Sequence, residues 1–89
     1  MRLTPAQLKN MVVDTMRRCF GNRIVTRHQI IDVVEQAIRN SGQWEASDGA
    51  PSASTDPKSK GRANIDYRIS DLKGEGRLES PARNQWRVR

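Results

Sequence analysis

The sequence is poor in the residues from which metal and nucleophile sites are built. It contains one cysteine and one histidine, Cys19 and His28, so it can form neither an internal disulfide nor a zinc site of mixed His and Cys ligands. A single cysteine favours a reducing, cytoplasmic setting. The sequence also lacks a Ser, His and Asp set and a glycine-rich phosphate loop. We therefore expect no cofactor, no metal and no catalytic activity in this chain.

Long apolar runs are missing as well. Nowhere do 18 apolar residues follow one another, and the first eight residues have neither the length nor the apolar run of a signal peptide. The length of 89 residues predicts one domain, and a chain this short buries only about 60% of its unfolded surface. We therefore expect a small core, no membrane insertion and no deep substrate cavity.

The apolar residues of the N-terminal half are spaced so that they predict two amphipathic helices. The first runs from Pro5 to Phe20, because Thr4 suits the N-cap and Gly21 supplies a stop. One apolar stripe follows it at steps of three and four residues, formed by Leu8, Met11, Val12, Met16, Cys19 and Phe20. The position of Cys19 on this stripe predicts a buried, inert thiol.

The second helix begins at Thr26, since Thr26 and Gln29 form a capping-box pattern, and it ends at Ser41-Gly42. Its expected buried face consists of Ile30, Ile31, Val34, Ala37 and Ile38. Between the two helices, the apolar segment Arg23-Ile24-Val25 predicts a brief strand.

Residues 43 to 61 break the pattern, with two prolines, two glycines, four serines and no aliphatic side chain larger than alanine. Such a stretch predicts a flexible insertion loop that is disordered or becomes ordered on a ligand, with mobility between residues 47 and 57. Trp44 is its one anchor. Its indole either packs over the end of the second helix or stacks on a partner.

A third helix is expected over residues 62 to 73, with Ile65, Ile69 and Leu72 facing inward. Residues 77 to 80 and 85 to 88 then alternate polar and apolar side chains around the turn-like segment Pro81-Ala82-Arg83-Asn84. This pattern predicts a hairpin whose inner face carries Leu78, Trp86 and Val88.

Charge is concentrated in the same C-terminal part. The chain has 16 basic and 10 acidic residues, and residues 58 to 89 alone hold 9 basic and 4 acidic ones, a net charge of +5. Most of these cations are arginines, which pair bidentately with phosphate and can read guanine. A nucleic acid is the expected partner, with an anionic membrane or protein surface, or plain solubility, as alternatives.

The order of helix, bridge, helix, helix and hairpin resembles a winged helix-turn-helix domain. The segment Ile65-Asp66-Tyr67-Arg68-Ile69-Ser70-Asp71-Leu72-Lys73, followed by Gly76-Arg77-Leu78-Glu79, looks like the recognition helix and first wing strand of bacterial and phage winged helices. The stretch from Glu79 to Val88 is similar to the wing of the N-terminal module of Mrr-like, modification-dependent restriction proteins. Two departures are the long insertion at 43 to 61 and Asn84, where glycine is common at the wing tip.

This resemblance implies an α+β fold of three helices and a C-terminal two-stranded wing that binds double-stranded DNA. The third helix would enter the major groove, where Asn64 suits adenine and Arg68 suits guanine, while the wing lies on the backbone or minor groove. Tyr67 either contacts DNA or packs against the first helix. The start of the second helix would present backbone N–H groups to a phosphate. The expected DNA-binding residues are Arg27, His28, Lys58, Lys60, Arg62, Asn64, Tyr67, Arg68, Asp71, Lys73, Arg83 and Arg87.

Three functions are compatible with these patterns. The first is a DNA-binding module, either a small phage or bacterial regulator or the targeting domain of a modification-dependent endonuclease. The second is a winged helix that binds another protein, and the third, a formal alternative only, is a standalone nuclease. Besides DNA, a larger nuclease chain and a second copy of this chain are candidate partners.

Overall fold

The fold of this chain is α+β, with three helices and two small antiparallel sheets. The computed structural model describes residues 1–53 and 56–89, with the backbone alone at 53, 56 and 57. The helices are α1 (Pro5–Phe20), α2 (Arg27–Asn40) and α3 (Lys60–Gly74), and a short 3-10 helix covers Ala46–Gly49. Strand β1 (Pro51–Ala53) pairs with β2 (Asp56–Ser59), and β3 (Leu78–Ala82) pairs with β4 (Gln85–Val88).

Both predicted helix starts are confirmed, and the same capping chemistry fixes each of them. Thr4 Oγ1 accepts from the backbone N–H of Gln7 at 3.2 Å, while the Thr4 backbone N–H donates to Gln7 Oε1 at 2.9 Å. Thr26 and Gln29 repeat the arrangement at 3.2 and 2.8 Å. Each reciprocal pair satisfies two N–H groups that a helix start would otherwise leave unbonded.

The core lies where the three helices and the hairpin meet. All three side chains predicted inside on α3 are buried, and so are the three on the hairpin. Val25 connects this hairpin to the segment before α2, because its backbone N–H and C=O each bond to Trp86 at 2.9 Å. The expected brief strand is therefore a single bridge beside β4.

The tip of the hairpin is tighter than the sequence predicts. Ala82 pairs with Gln85, so the turn consists of Arg83 and Asn84 rather than of four residues. Asn84 has φ 54°, a left-handed conformation that asparagine tolerates better than most residues. This tolerance explains how asparagine replaces glycine at the tip.

The prediction that residues 43 to 61 lack regular structure is wrong for the part that the structure describes. It contains the 3-10 helix and strands β1 and β2, with Pro51 paired to Ser59. Trp44 holds this insertion to the helices, since the Arg39 guanidinium lies 4.6 Å from its ring centre. Packing of Trp44 over the end of α2 is therefore confirmed. The mobility of residues 47 to 57 stays a prediction, and residues 54 and 55 lie outside the described part.

The prediction of a buried Cys19 is also wrong, because Cys19 is exposed. It lies at the edge of the α1 stripe, in the last turn, where its side chain borders a surface groove between α1 and α2 instead of the core. Val12 and Met16, at the centre of the same stripe, are buried as expected. Apolar spacing thus located the helix face correctly but not its edge.

Candidate nucleic-acid interface

The outer face of α3 carries an exposed aromatic residue among small ones. Ile65, Ile69 and Leu72 are buried on the inner face, and helical spacing therefore turns Ala63, Tyr67, Ser70 and Gly74 to the opposite side. Tyr67 is 69% exposed, so it does not pack against α1, which was one of its two predicted positions. This face of α3 is open to a ligand.

Arg27 connects this face to the rest of the fold. Its guanidinium donates to the carboxylate and the backbone carbonyl of Asp66 and to the Ser70 hydroxyl, and it lies 4.9 Å from the ring centre of Trp86. Its backbone N–H donates to Asn84 Oδ1 at 3.0 Å. One residue at the start of α2 therefore holds α3, β4 and the hairpin tip in one arrangement.

Asp66 is shared between two cations. Lys58 Nζ lies 2.9 Å from its second carboxylate oxygen, opposite Arg27. Burial alone would raise the pKa of Asp66, but the hydrogen bonds from Arg27 and Lys58 outweigh it, and the pKa is lowered. Arg27, Lys58 and Asp66 together carry a net charge of +1, and they lie beside an open cavity of about 290 Å³. This cavity is lined by Arg27, Lys58, Ala63, Asp66, Tyr67 and Ser70.

Further cations lie on α3 and at the hairpin tip. The side chains of Lys60 and Arg83 are exposed, and among the described residues neither has a hydrogen bond or an ion pair. Lys73 is exposed and lies 5.8 Å from the ring centre of Trp86. We define the cationic face as the residues around Tyr67 on α3, β2, the α2 start and the hairpin tip. Its charged members are Arg27, Lys58, Lys60, Asp66, Arg68, Asp71, Lys73 and Arg83, six cations and two carboxylates.

Arg62 is turned away from this face. Its guanidinium lies 2.8 Å from Asp32 and 3.0 Å from Glu35, both on α2, and its side chain is only 23% exposed. Glu35 also accepts from Arg39 at 2.9 Å. DNA binding by Arg62 stays a prediction, but these carboxylates hold its side chain against α2.

Arg68, Asn64 and Asp71 form the flank of α3 farthest from Arg27. Arg68 is 20% exposed and lies 3.4 Å from Asp71, and its Nε is buried with no hydrogen-bond acceptor among the described residues. Asn64 and Asp71 are half-buried. All three border the outer face rather than stand on it.

The two remaining residues that were predicted to bind DNA, Arg87 and His28, each lie beside a carboxylate. Arg87 pairs with Glu79 across the hairpin, and exposed His28 lies 3.7 Å from Asp32. At the start of α2 the backbone N–H groups of Thr26, Arg27 and Gln29 are already bonded to Gln29, Asn84 and Thr26. The expectation that Thr26, Arg27 and His28 present backbone N–H groups to a phosphate is therefore wrong for Thr26 and Arg27.

Asp66, Ser70 and Trp86 belong to the site although the sequence did not single them out as site residues. Ser70 follows Tyr67 by one helical turn, so its position was available from spacing alone. Asp66 and Trp86 are brought to Arg27 from 39 and 59 residues away, and no local pattern reports such a contact.

Comparison with known proteins identifies no relative, since no family model, curated protein or solved structure matches this chain. Over residues 1–53 and 56–89, no helix is long and apolar enough to cross a membrane. The same residues contain no cluster of three His, Cys, Asp or Glu side chains arranged to hold a metal ion.

Acid should weaken the ion pairs that position this interface. Hydrogen bonds lower the folded-state pKa of Asp66 and Glu35 below their ordinary values of 3.8 and 4.5, against the effect of burial. The stabilisation is therefore complete above those values and is lost as the pH falls through the folded-state pKa. Between about pH 5 and pH 3, Tm followed by circular dichroism should fall more steeply for the wild type than for the double variant Asp66→Asn with Glu35→Gln.

Asp14→Asn is the matched control, because Asp14 is exposed and has no ion pair within the described residues. Its Tm should follow the wild-type pH dependence. Parallel curves for the wild type and the double variant would show that these two carboxylates do not stabilise the folded chain.

Proposed function

We propose that this chain is a winged helix-turn-helix module that binds double-stranded DNA through the cationic face. The observation that carries the proposal is the exposed Tyr67 beside a cavity lined by Arg27, Lys58 and Asp66, on a face that bears six cations and only two carboxylates. A cationic surface with an exposed aromatic residue suits a polyanion whose bases and sugars offer flat contacts. The element order supports the same proposal, because Val25 bridges to β4 as the first strand of a winged helix would.

In this proposal α3 lies in the major groove, whose width admits one helix. Tyr67 and Ser70 then face the base edges, with Asn64 and Arg68 at the flank. Phosphates on either side are contacted by exposed cations at the two ends of the face, Lys60 and Arg83. Arg27 and Asp66 position α3 and the hairpin relative to each other. Arg27 can therefore affect DNA affinity without contacting DNA directly.

The proposal concerns binding only. Its biological setting would be a small phage or bacterial regulator, or the DNA-targeting domain of a modification-dependent endonuclease, as the resemblance of residues 62 to 88 suggests. A winged helix that binds a protein would use the same face, and the salt dependence of binding distinguishes the two.

Affinity for a fluorescent duplex should fall steeply with salt. The cationic face has a net charge of +4, and log affinity falls with log salt by about 0.9 for each phosphate neutralised, so we expect a slope of about −3 to −4. Fluorescence anisotropy between 50 and 300 mM KCl measures it, with methylated and unmodified duplexes compared in parallel.

An affinity that hardly changes over this salt range would contradict DNA binding through the cationic face and would favour a protein partner. A difference between the two duplexes would assign the module to modification-dependent recognition. Equal affinity would favour a regulator that reads unmodified sequence.

A further inference from the structure

The cavity beside Tyr67 lies where α2, β2 and α3 meet, and each of these elements contributes to its lining. Arg27 comes from the start of α2, Lys58 comes from β2, and Tyr67 and Ser70 come from α3. Small side chains flank Tyr67 about one turn before and after it, at Ala63 and Ser70. A flat group can therefore approach the backbone of α3 closely at this point.

The carboxylate in this lining already has both of its oxygens bonded. Asp66 Oδ1 accepts from Arg27 Nε, and Asp66 Oδ2 accepts from Lys58 Nζ at 2.9 Å. Ser70 Oγ also accepts from Arg27, and its own O–H hydrogen is left to donate. Tyr67 is 69% exposed, and its hydroxyl has no hydrogen bond within residues 1–53 and 56–89. The side-chain acceptors are thus in use, whereas the two hydroxyls can donate to a ligand.

A lining of this kind suits an uncharged group with acceptor atoms better than it suits a phosphate. Its three charged side chains sum to only +1, and a phosphate in the cavity would lie beside the Asp66 carboxylate, which repels it. The edge of a base carries no formal charge. It can therefore accept from the two hydroxyls without that repulsion, and the weakly positive surroundings favour its acceptor atoms.

In the major groove, guanine alone presents two acceptors, N7 and O6. Adenine presents one acceptor and an amino donor, cytosine presents an amino donor, and thymine presents one acceptor beside its methyl group. An amino group in this cavity would meet side-chain acceptors that are already bonded. It would lose its hydrogen bond to water without a replacement, which is unfavourable. Guanine is therefore the base whose edge matches the donors of the cavity.

Resting on the proposed binding of α3 in the major groove, we infer that this cavity is the base-reading part of the cationic face and that it selects guanine. The hydroxyls of Tyr67 and Ser70 donate to N7 and O6, while the two cations keep both oxygens of Asp66 occupied. The sequence assigned guanine to Arg68 instead. Arg68 does not line this cavity, and its Nε is buried at the flank of α3.

Selection from a library of random duplexes, followed by fluorescence anisotropy on the selected site, tests this assignment. The wild type should select a site with one invariant guanine, and that position should become variable for Tyr67→Phe and for Ser70→Ala. On the selected site each variant should bind about 3- to 10-fold more weakly, the effect of one lost hydrogen bond. On a duplex with cytosine in place of that guanine, each should bind within about twofold of the wild type, because the phosphate contacts are unchanged.

Base analogues at the invariant position test the atoms involved. Replacement by 7-deazaguanine removes the N7 acceptor and should lower wild-type affinity about 3- to 10-fold. Replacement by inosine removes only the minor-groove amino group and should leave the affinity unchanged. The loss with 7-deazaguanine should disappear in whichever variant lacks the hydroxyl that bonds to N7, Tyr67→Phe or Ser70→Ala.

Ser47→Ala is the matched control. It removes an exposed hydroxyl from the short 3-10 helix, outside the cavity lining, and it should behave like the wild type with every duplex. Circular dichroism checks that the three variants are folded.

The results separate guanine selection from DNA binding itself. If the wild type retains no duplex, the proposed function fails and guanine selection fails with it. Three other results would overturn guanine selection alone and leave DNA binding standing. They are a selected site without an invariant guanine, equal losses for the variants on the guanine and cytosine duplexes, and a 7-deazaguanine effect that is absent from the wild type or persists in both variants.

Discussion

Gly61→Ala should lower the free energy of unfolding by about 2–3 kcal/mol, although alanine normally stabilises a helix relative to glycine. A Cβ atom at position 61 would lie 2.4 Å from the Trp44 ring and 2.9 Å from Asp48 Cβ. The Trp44 ring also contacts the Arg39 guanidinium, and Asp48 is buried, so neither can move away easily. The added methyl group must therefore separate the insertion from the start of α3. Urea denaturation followed by circular dichroism measures the loss.

Gly74→Ala is the matched control at the other end of the same helix. Nothing lies within 4 Å of a Cβ at Gly74, so this variant should be up to about 1 kcal/mol more stable than the wild type. In a Trp44→Ala background, Gly61→Ala should cost less than in the wild type, because the obstructing ring is gone. A Gly61→Ala variant as stable as Gly74→Ala would show that Trp44 does not pack against α3.

Local signals account for the part of the fold that the sequence predicts. Both capping boxes join residues three apart, and each helix face repeats within one or two turns, so α1 and α2 could be placed from the sequence to within one residue. The structure of the insertion could not be predicted from the sequence, because its strands are short and poor in apolar side chains. Its structure depends on the contact between Trp44 and Gly61, 17 positions apart in the chain.

The same distinction applies to the cationic face. The exposed position of Tyr67 follows from the spacing of the buried isoleucines on α3, and the excess of cations follows from counting. Neither spacing nor counting predicts which cations pair with carboxylates, because those pairs join distant parts of the chain. Arg62 binds carboxylates on α2, and Arg27 binds Asp66 on α3. Sequence patterns therefore predict the location and sign of the face better than the role of each arginine.

Removing two exposed cations together should nearly abolish duplex binding. The double variant Lys60→Gln with Arg83→Gln takes away one phosphate contact at each end of the cationic face. At about 0.1 M salt each contact contributes about tenfold in affinity through counterion release, so we expect a loss of about 100-fold and a salt slope shallower by about 2. Neither side chain has a protein partner among the described residues, and Tm should therefore stay within about 2 °C of the wild type.

The control makes the same charge change on another surface. Arg17→Gln with Arg18→Gln removes two exposed cations from the last turn of α1, and it should reduce affinity less than threefold. If both double variants lost affinity equally, binding would follow net charge rather than the cationic face. If neither lost affinity, the duplex would have to contact a different surface, and Tyr67 would become the first residue to test as part of a protein interface.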